Sequence, residues 1–340
     1  MEGALDPNGP AAADSGIFGL TAAPDDAAVV IVPVPFAATV SYGGGAERGP
    51  SAVLAASHQV DLYDRQFGRF YERGICLLEP DPAIAAAHAE ARAAAAAVID
   101  AGGAAAGSAA VAPVDAAGEL VNARVRAAVD AILAREQVAG VLGGDHSVPF
   151  GAIAAAAERT PGLGILHFDA HADLRDAYEG FRWSHASIMA NVLRDVPSVR
   201  RLVQVGIRDF CEQELDAIQA ADGRVITHFD QDWQRRRFEG TTFAALCDEA
   251  VAALPEQVWI SFDIDGLDPA LCPGTGTPVP SGLQFAEAAH LLETLAKSGR
   301  RVVGFDLVEV APAADGVGEW DANVGARLLY KLCGAALHSR

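Results

Sequence analysis

Acidic and imidazole side chains follow three apolar runs of this sequence, at spacings that suit metal binding. The segments are GGDHS at residues 143–147, DAHAD at residues 169–173 and DID at residues 263–265. Alternate residues of an extended chain point to the same side, so we expect the polar groups of each segment to converge. The predicted ligands are His146, Asp169, His171, Asp173, Asp263 and Asp265.

The charge of this ligand set indicates two metal ions. Four carboxylates and two neutral imidazoles carry four negative charges, and packing them without cations is costly because like charges repel and lose hydration. Two divalent ions balance that charge. Oxygen-rich sites with some imidazole favour hard or borderline ions, so Mn2+ is the first expectation, with Ni2+ or Co2+ as alternatives. A pair of such ions about 3.5–4 Å apart lowers the pKa of a shared water and makes it a nucleophile.

Each segment also has a structural alternative. DAHAD fits a hydrogen-bonded strand end, His146 fits a loop histidine, and Asp263 with Asp265 fits a turn cap. Their joint occurrence at strand ends of one predicted sheet favours the metal centre. His167 lies deeper in an apolar run, where we expect a core residue or a support for the ligands. Asp145 is expected to orient His146 or its loop.

Apolar runs that alternate with helical stretches form the scaffold for these groups. The predicted strands cover residues 28–34, 138–142, 163–168, 202–207, 258–264 and 301–308. The predicted helices lie near residues 50–56, 82–99, 117–135, 150–159, 185–193, 243–253, 285–298 and 322–336. This alternation predicts a single three-layer α/β domain, in which helices flank a central, mostly parallel sheet. Ligands of such sheets bind at the carboxyl edge, where the acidic segments lie.

The domain is expected to cover residues 27–340. The preceding segment is rich in Ala, Gly, Pro and Asp, and we predict that residues 1–26 are disordered. That segment lacks the basic start and the apolar stretch of a secretory signal, and no run reaches the roughly 20 apolar residues of a membrane span. The five cysteines are scattered without a CxxC pair, which favours reduced thiols in the cytoplasm.

The overall charge excludes some classes of partner. Lys and Arg total 25 against 45 Asp and Glu, which gives a formal net charge of -20. Nucleic acids and anionic membrane surfaces need a basic protein surface, so we expect neither as a partner. An acidic protein instead suits a small cationic molecule.

The sequence resembles the ureohydrolases, the family of arginases and agmatinases. Four segments carry the resemblance: GGDHS, DAHAD, SFDIDGLDPALCPGTGTPVPSG at residues 261–282, and GFDLVEVAP at residues 304–312. Residues 35–57 also resemble the agmatinase branch. The resemblance implies two Mn2+ ions per subunit, hydrolysis of a guanidinium group to urea, and the fold shared by arginases and deacetylases. It also implies a homotrimer or homohexamer. All six predicted ligands match the ligand positions of the family.

The resemblance also implies two catalytic side chains outside the ligand set. His185, in SHAS, matches the histidine that relays a proton, and we expect it to change protonation near neutral pH. Glu309 matches the glutamate that holds the substrate guanidinium. In the mechanism we expect, Asp173 is both ligand and catalytic group, because it accepts a hydrogen bond from the attacking hydroxide. The structural alternatives are a helix cap for His185 and a solvated strand end for Glu309.

Substrate selection is expected to lie in the loop at residues 174–183 (LRDAYEGFRW). Asp176 and Glu179 suit the distal amine of agmatine, whereas Arg175 and Arg182 suit the carboxylate of guanidinobutyrate, arginine or a formimino amino acid. Agmatine, cleaved to putrescine, is the favoured substrate because the loop resembles the agmatinase branch. Guanidinobutyrase, arginase and formimidoylglutamase activities are the alternatives.

Two further classes compete with a ureohydrolase. A deacetylase on the related fold needs one zinc and fewer acids, and the set of six ligands disfavours it. A catalytically inactive, regulatory family member is expected to lack ligands, and this sequence retains all of them.

Overall fold

Eight parallel strands form one sheet in the computed structural model, which describes residues 6–12, 15–313 and 319–340. In chain order they are β1 (Val29–Val34), β2 (Ile75–Leu77), β3 (Val138–Gly143), β4 (Gly164–Phe168), β5 (Arg201–Ile207), β6 (Val225–Phe229), β7 (Gln257–Asp263) and β8 (Arg301–Val308). Their spatial order is β2-β1-β3-β8-β7-β4-β5-β6, and each neighbouring pair is parallel. The predicted central parallel sheet is confirmed.

Helices cover both faces of this sheet, as βαβ connections require. They are α1 (Gly49–Ser57), α2 (Pro82–Asp100), α3 (Ala112–Leu133), α4 (Phe150–Arg159), α5 (Ile188–Asp195), α6 (Glu212–Ala220), α7 (Asp230–Phe238), α8 (Phe243–Ala252), α9 (Phe285–Lys297) and α10 (Trp320–His338). Helices α2, α3, α4 and α5 contribute to the apolar core on one face, and α1, α8, α9 and α10 to the core on the other. Among the described residues, no helix combines the length and apolarity that crossing a membrane requires.

The central strands show why this sequence folds as a parallel sheet. Every residue of β3 and β4 is buried, and both read as nearly continuous apolar runs because each face is covered. The sequence predictions missed the two edge strands. Strand β2 has only three residues, and β6 is mostly half-buried and contains Thr227 and His228. An edge strand buries less surface, so its apolar signal is weaker.

Part of the segment predicted to be disordered packs against the domain. Ile17, Phe18 and Leu20 are buried. The backbone N–H of Phe18 donates to Ser57 Oγ at 2.9 Å, and its ring lies 4.8 Å from that of Tyr330. These three apolar side chains anchor the segment to the domain. The prediction used the overall composition of the segment, which does not show that a few of its side chains are buried. The prediction of disorder also covered residues 1–5 and 13–14, which lie outside the described residues.

Candidate metal centre and active site

Four neighbouring strands bring the predicted site residues together. The order β3-β8-β7-β4 places His146, Glu309, Asp263 and Asp169 next to one another at the carboxyl edge of the sheet. Strand β8 is the last in the sequence but lies between β3 and β7. Glu309, which follows β8, therefore lies beside the predicted ligands in space, although it is far from all of them in sequence.

The six predicted ligands form two clusters that share Asp169. His146 Nδ1 lies 3.0, 3.1 and 3.3 Å from carboxylate oxygens of Asp169, Asp173 and Asp263. His171 Nδ1 lies 3.4 Å from Asp169 Oδ1 and 3.1 Å from Asp265 Oδ2. Asp169 directs one oxygen to each imidazole. We call these six residues the cavity floor.

The backbone of the floor differs from the regular alternation that the sequence predicted. Residues 169–173 lie beyond the end of β4, and Asp173 has a left-handed φ of 54°. Asp263 ends β7, while Asp265 lies in the 3-10 turn Ile264–Gly266 and donates its N–H to Asp263 Oδ1 at 2.8 Å. The expectation of two extended segments was wrong. The carboxylates converge through turns, and left-handed backbone at a non-glycine residue is typical of functional sites.

The electrostatics of the floor fit divalent cations. Burial, together with Asp169, raises the pKa of Asp173 to about 7. Burial, together with Asp265 and Asp169, raises the pKa of Asp263 well above its usual value. Both shifts arise because buried carboxylates repel one another when they ionise. The donor set consists of carboxylate oxygens and imidazole nitrogens within a few ångströms of one another, which is the chemistry that Mn2+, Co2+ or Ni2+ accepts.

A buried network supports His146 from below the floor. His146 Nε2 lies 2.9 Å from Ser261 Oγ, which donates to Asp306 Oδ1 at 2.9 Å. Trp259 Nε1 donates to the other oxygen of Asp306 at 2.6 Å, and burial raises the pKa of Asp306 to about 6. Ser261 and Asp306 were not among the residues predicted from the sequence. Their signal was present, because each is a polar residue inside an otherwise apolar strand.

His167 supports the shared ligand. Gln204 Nε2 lies 3.0 Å from His167 Nδ1 and also donates to the carbonyl of Ala172 at 2.8 Å. Because the amide nitrogen donates, His167 Nδ1 accepts, and its Nε2–H then donates to Asp169 Oδ2 at 2.8 Å. The structure thus places His167 in the supporting position that the sequence analysis described. Asp145 instead bonds Ser147 and Thr39, so it orients the loops around His146 rather than the imidazole itself.

Glu309 lies beside the floor with one oxygen free. The floor opens into a cavity of about 150 Å3 that Glu309 also lines. Glu309 Oε1 accepts the backbone N–H of His146 at 2.9 Å, whereas Oε2 is buried and has no partner within the described part of the chain. Burial and the charge of Asp145 raise the pKa of Glu309 well above its usual value. Its backbone has a φ of 62° and is tied to Gly144 O at 2.7 Å. A cationic hydrogen-bond donor in the cavity would satisfy the free oxygen.

His185 lines the same cavity from the start of a short 3-10 turn, His185–Ser187. Ser184 caps this turn by accepting the N–H of Ala186 at 3.3 Å. Burial lowers the pKa of His185 to about 3, with smaller contributions from His171 and His146, so the ring is neutral at neutral pH. This differs from the near-neutral pKa that the sequence predicted. The difference arises because loss of hydration and the neighbouring imidazoles both disfavour the charged ring.

The loop at residues 174–183 contributes only part of what the sequence predicted. The side chain of Asp176 is 85% exposed and pairs with Arg194, and Arg182 pairs with Asp195. Glu179 does not line the cavity. From this loop, Arg175 and Tyr178 reach the cavity, with the Arg175 guanidinium 4.8 Å from the centre of the Tyr178 ring.

The sequence analysis missed two acids in the outer part of the cavity. Asp209 follows β5 and is exposed, whereas Glu214 is buried in the first turn of α6. Glu214 accepts the backbone N–H groups of Leu174 and Cys211 at 3.0 and 2.9 Å, and lies 3.5 Å from Arg175 Nε. We call Arg175, Tyr178, Asp209 and Glu214 the cavity wall. The end of β5 was the signal for Asp209, since acids at strand ends had already marked the floor.

Comparisons with known proteins find relatives along most of the chain. A sequence profile of the Arginase family matches residues 27–334. The N(1)-aminopropylagmatine ureohydrolase of Thermus thermophilus is 34% identical over 322 residues, which are 94% of this chain and 94% of that protein. The protein of the same name from Synechocystis is 32% identical, over 91% of this chain and 89% of its own. The structure of proclavaminate amidinohydrolase from Streptomyces clavuligerus shares the fold, with a TM-score of 0.72, 22% identity, and coverage of 98% of this chain and 100% of that one.

Proposed function

The chain belongs to the arginase family, a family of ureohydrolases, and we propose that it hydrolyses a guanidino compound with a cationic tail to urea and an amine. Agmatine, which yields putrescine, is the first candidate substrate. N(1)-aminopropylagmatine is the second, because two relatives that align along most of this chain carry that name. The observation that carries the proposal is the free, buried Oε2 of Glu309 beside the cavity floor.

The residues of the site divide the proposed reaction among them. Glu309 binds the guanidinium through its free oxygen and holds its carbon above the floor. The six floor residues would hold two Mn2+ ions, or Ni2+ or Co2+, which would lower the pKa of water and stabilise developing negative charge. Asp173 accepts a hydrogen bond from the attacking water and orients it. His185 accepts a proton and passes it to the leaving amine nitrogen.

The charge of the cavity wall favours an amine over a carboxylate at the far end of the substrate. Two carboxylates, Asp209 and Glu214, stand against the single guanidinium of Arg175. Arg175 is engaged by Glu214 and by the ring of Tyr178, while Asp209 is exposed to the cavity. A distal ammonium therefore meets a net negative wall. Guanidinobutyrate, arginine and formiminoglutamate each carry a carboxylate, for which Arg175 would first have to leave its partners.

A panel of substrates tests this proposal. With Mn2+ added, we expect urea release from agmatine and N(1)-aminopropylagmatine at a kcat/KM at least about tenfold above that for arginine or guanidinobutyrate. Release of formamide from formiminoglutamate would instead show formimidoylglutamase activity. Release of neither product from any compound would contradict the proposal and favour an inactive, regulatory member. One zinc per chain in the purified protein would favour the deacetylase class.

Glu309→Gln tests the observation on which the proposal depends. Removing one partner of a buried ion pair costs about 2–5 kcal/mol, so kcat/KM should fall by about 30-fold to several thousandfold. Bound metal should stay at the wild-type ratio. The matched control is Glu293→Gln, which removes a half-buried carboxylate that pairs with Lys297 and accepts from Gln66, outside the cavity. Activity of Glu309→Gln within about threefold of wild type would exclude the proposed role.

Assembly and location are part of the proposal. All five cysteines are free thiols, which favours a reducing compartment, and we propose the cytoplasm. The homotrimer or homohexamer remains a prediction, and the mass of the native particle in solution measures it.

A further inference from the structure

Thr39 contacts His185 in a way that no role assigned so far explains. It lies in the loop after β1 and is 1% exposed. Its Oγ1 accepts the backbone N–H of His185 at 3.1 Å and lies 3.2 Å from the ring nitrogen Nδ1. The same hydroxyl and the backbone N–H of Thr39 each lie 3.4 Å from Asp145 Oδ2. Thr39 therefore joins the proposed proton relay to a buried carboxylate.

The donors and acceptors around this hydroxyl determine which nitrogen of His185 carries hydrogen. A hydroxyl offers one proton and two lone pairs. One lone pair accepts the backbone N–H of His185, and the proton goes to Asp145, because a carboxylate is the stronger acceptor. The second lone pair is left for Nδ1, so Nδ1 is the donor. Ser184 Oγ, which accepts the N–H of Ala186, is the more distant hydroxyl, at 3.5 Å from Nδ1. Nε2 is then unprotonated and has no protein partner among the residues that the structure describes.

We propose that Thr39 is a positioning residue that fixes His185 as the Nδ1–H tautomer and leaves Nε2 free for the cavity. The inference rests on the proposed function for its chemical meaning. In that reaction Nε2 takes one proton and passes the same proton to the leaving amine nitrogen, so the imidazole is unchanged after each turnover. Throughout, the Nδ1–H group remains bonded to Thr39.

The loop that carries Thr39 is held in place on both sides. On one side, α2 holds the backbone: His88 Nδ1 accepts the N–H of Ala37 at 3.2 Å, and Arg92 Nη1 donates to the carbonyls of Ala38 and Val40 at 3.1 and 2.8 Å. On the other side, Gly144 packs so closely that a Cβ there would lie 2.0 Å from the carbonyl oxygen of Phe36. The hydroxyl of Thr39 is therefore a fixed point against which the His185 ring is oriented.

The tautomer can be measured directly by nitrogen NMR of the full-length chain, labelled with 15N-histidine and loaded with diamagnetic Zn2+. The signals of His185 are assigned by their loss in His185→Asn. We expect a protonated Nδ1 and an unprotonated Nε2 in wild type. In Thr39→Val the ring should move toward the Nε2–H form that an unrestrained histidine side chain prefers, and Thr39→Ser should restore the wild-type signals. An Nε2–H signature in wild type, or wild-type signals in Thr39→Val, would overturn the proposal.

Kinetics provide the second measurement. Thr39→Val should lower kcat by about 10- to 100-fold while KM and bound metal stay within about twofold, and Thr39→Ser should recover most of the loss. Thr39→Ala replaces Thr39→Val if the valine is not accommodated. The control is Thr294→Val, whose hydroxyl donates to a carbonyl of its own helix, α9. A kcat for Thr39→Val at the wild-type level would overturn the inference. A wild-type protein that releases no urea would overturn the proposed function instead, while the NMR spectra would still decide the role of Thr39.

Discussion

The cavity floor and the cavity wall are both acidic, but they are built from different parts of the fold. The floor comes from the ends of β3, β4 and β7, and a buried network supports it from within the sheet. The wall comes from the loop after the DAHAD segment, from the loop after β5 and from the start of α6. Floor groups are nearly all buried, whereas Asp209 of the wall is exposed.

We therefore expect the floor to carry out the reaction and the wall to select the substrate. Groups fixed by neighbouring strands keep their distances while loops change, so a family can retain one reaction and vary its substrates through the wall. Changes to the floor are therefore expected to affect metal content and every substrate alike. Changes to the wall are expected to affect substrates unequally and leave bound metal intact.

Asp169→Asn should have the largest effect, because Asp169 is the predicted ligand that both clusters share. The amide keeps the shape but loses the charge that balances two cations, so bound metal should fall and turnover should drop by on the order of 1,000-fold or more for all substrates. Metal analysis and the substrate panel measure both quantities. Asp100→Asn, on the exposed end of α2, is the control. If turnover fell for agmatine alone, a floor residue would be selecting the substrate, and the proposed division between floor and wall would be wrong.

Asp306→Asn tests whether the buried network beneath the floor contributes to metal binding. Asp306 holds Ser261, which in turn contacts His146, so its replacement should disorient one ligand without removing any. Loss of such supporting groups typically weakens metal binding by about 10- to 100-fold. Titration of metal-free protein with Mn2+ measures the change. Activity should return at saturating metal, and a defect that persists there would place Asp306 outside this role.

The same division explains what could be predicted from the sequence. The floor was predictable because its ligands follow uniform apolar runs at short spacings, and DAHAD alone contains three of them. The wall was less predictable. Asp209 has only its place after a strand end as a signal, without a dense motif, and Glu214 and Arg175 come from separate segments that meet only after folding. Asp176 and Glu179 had the right chemistry, but sequence position does not show which side chains of a loop point inward.

The strand order shows a second limit of the sequence. The six main apolar runs predicted the buried strands, because burial on both faces requires continuous apolar residues. Their order in space was not predictable from those runs, and it is this order that places Glu309 beside His146. Edge strands β2 and β6 bury less surface and were missed. Turns such as the one at Asp173 escaped prediction because they depend on contacts made in the folded state.

Asp209→Asn should change selectivity without changing metal content. An exposed ion pair contributes about 1 kcal/mol at most, so kcat/KM for agmatine should fall by about fivefold, while the value for guanidinobutyrate stays the same or rises. Asp176→Asn is a matched control, since Asp176 lies near the wall but pairs with Arg194 in solvent. An equal fall in kcat/KM for both substrates would mean that Asp209 contributes to the reaction itself rather than to substrate selection.

His88 should give the smallest effect, and it concerns the loop that carries Thr39. Burial lowers the pKa of His88, and its neutral Nδ1 accepts the N–H of Ala37, so folding favours the uncharged ring. A lowered folded pKa means that this contribution to stability is complete above the unfolded pKa, about 6.5, and is lost as the pH falls below it. His88→Gln keeps an acceptor that does not titrate. Urea denaturation from pH 8 to pH 5 should therefore show wild type losing more stability than the variant. Parallel losses in the two proteins would mean that protonation of His88 does not loosen the loop.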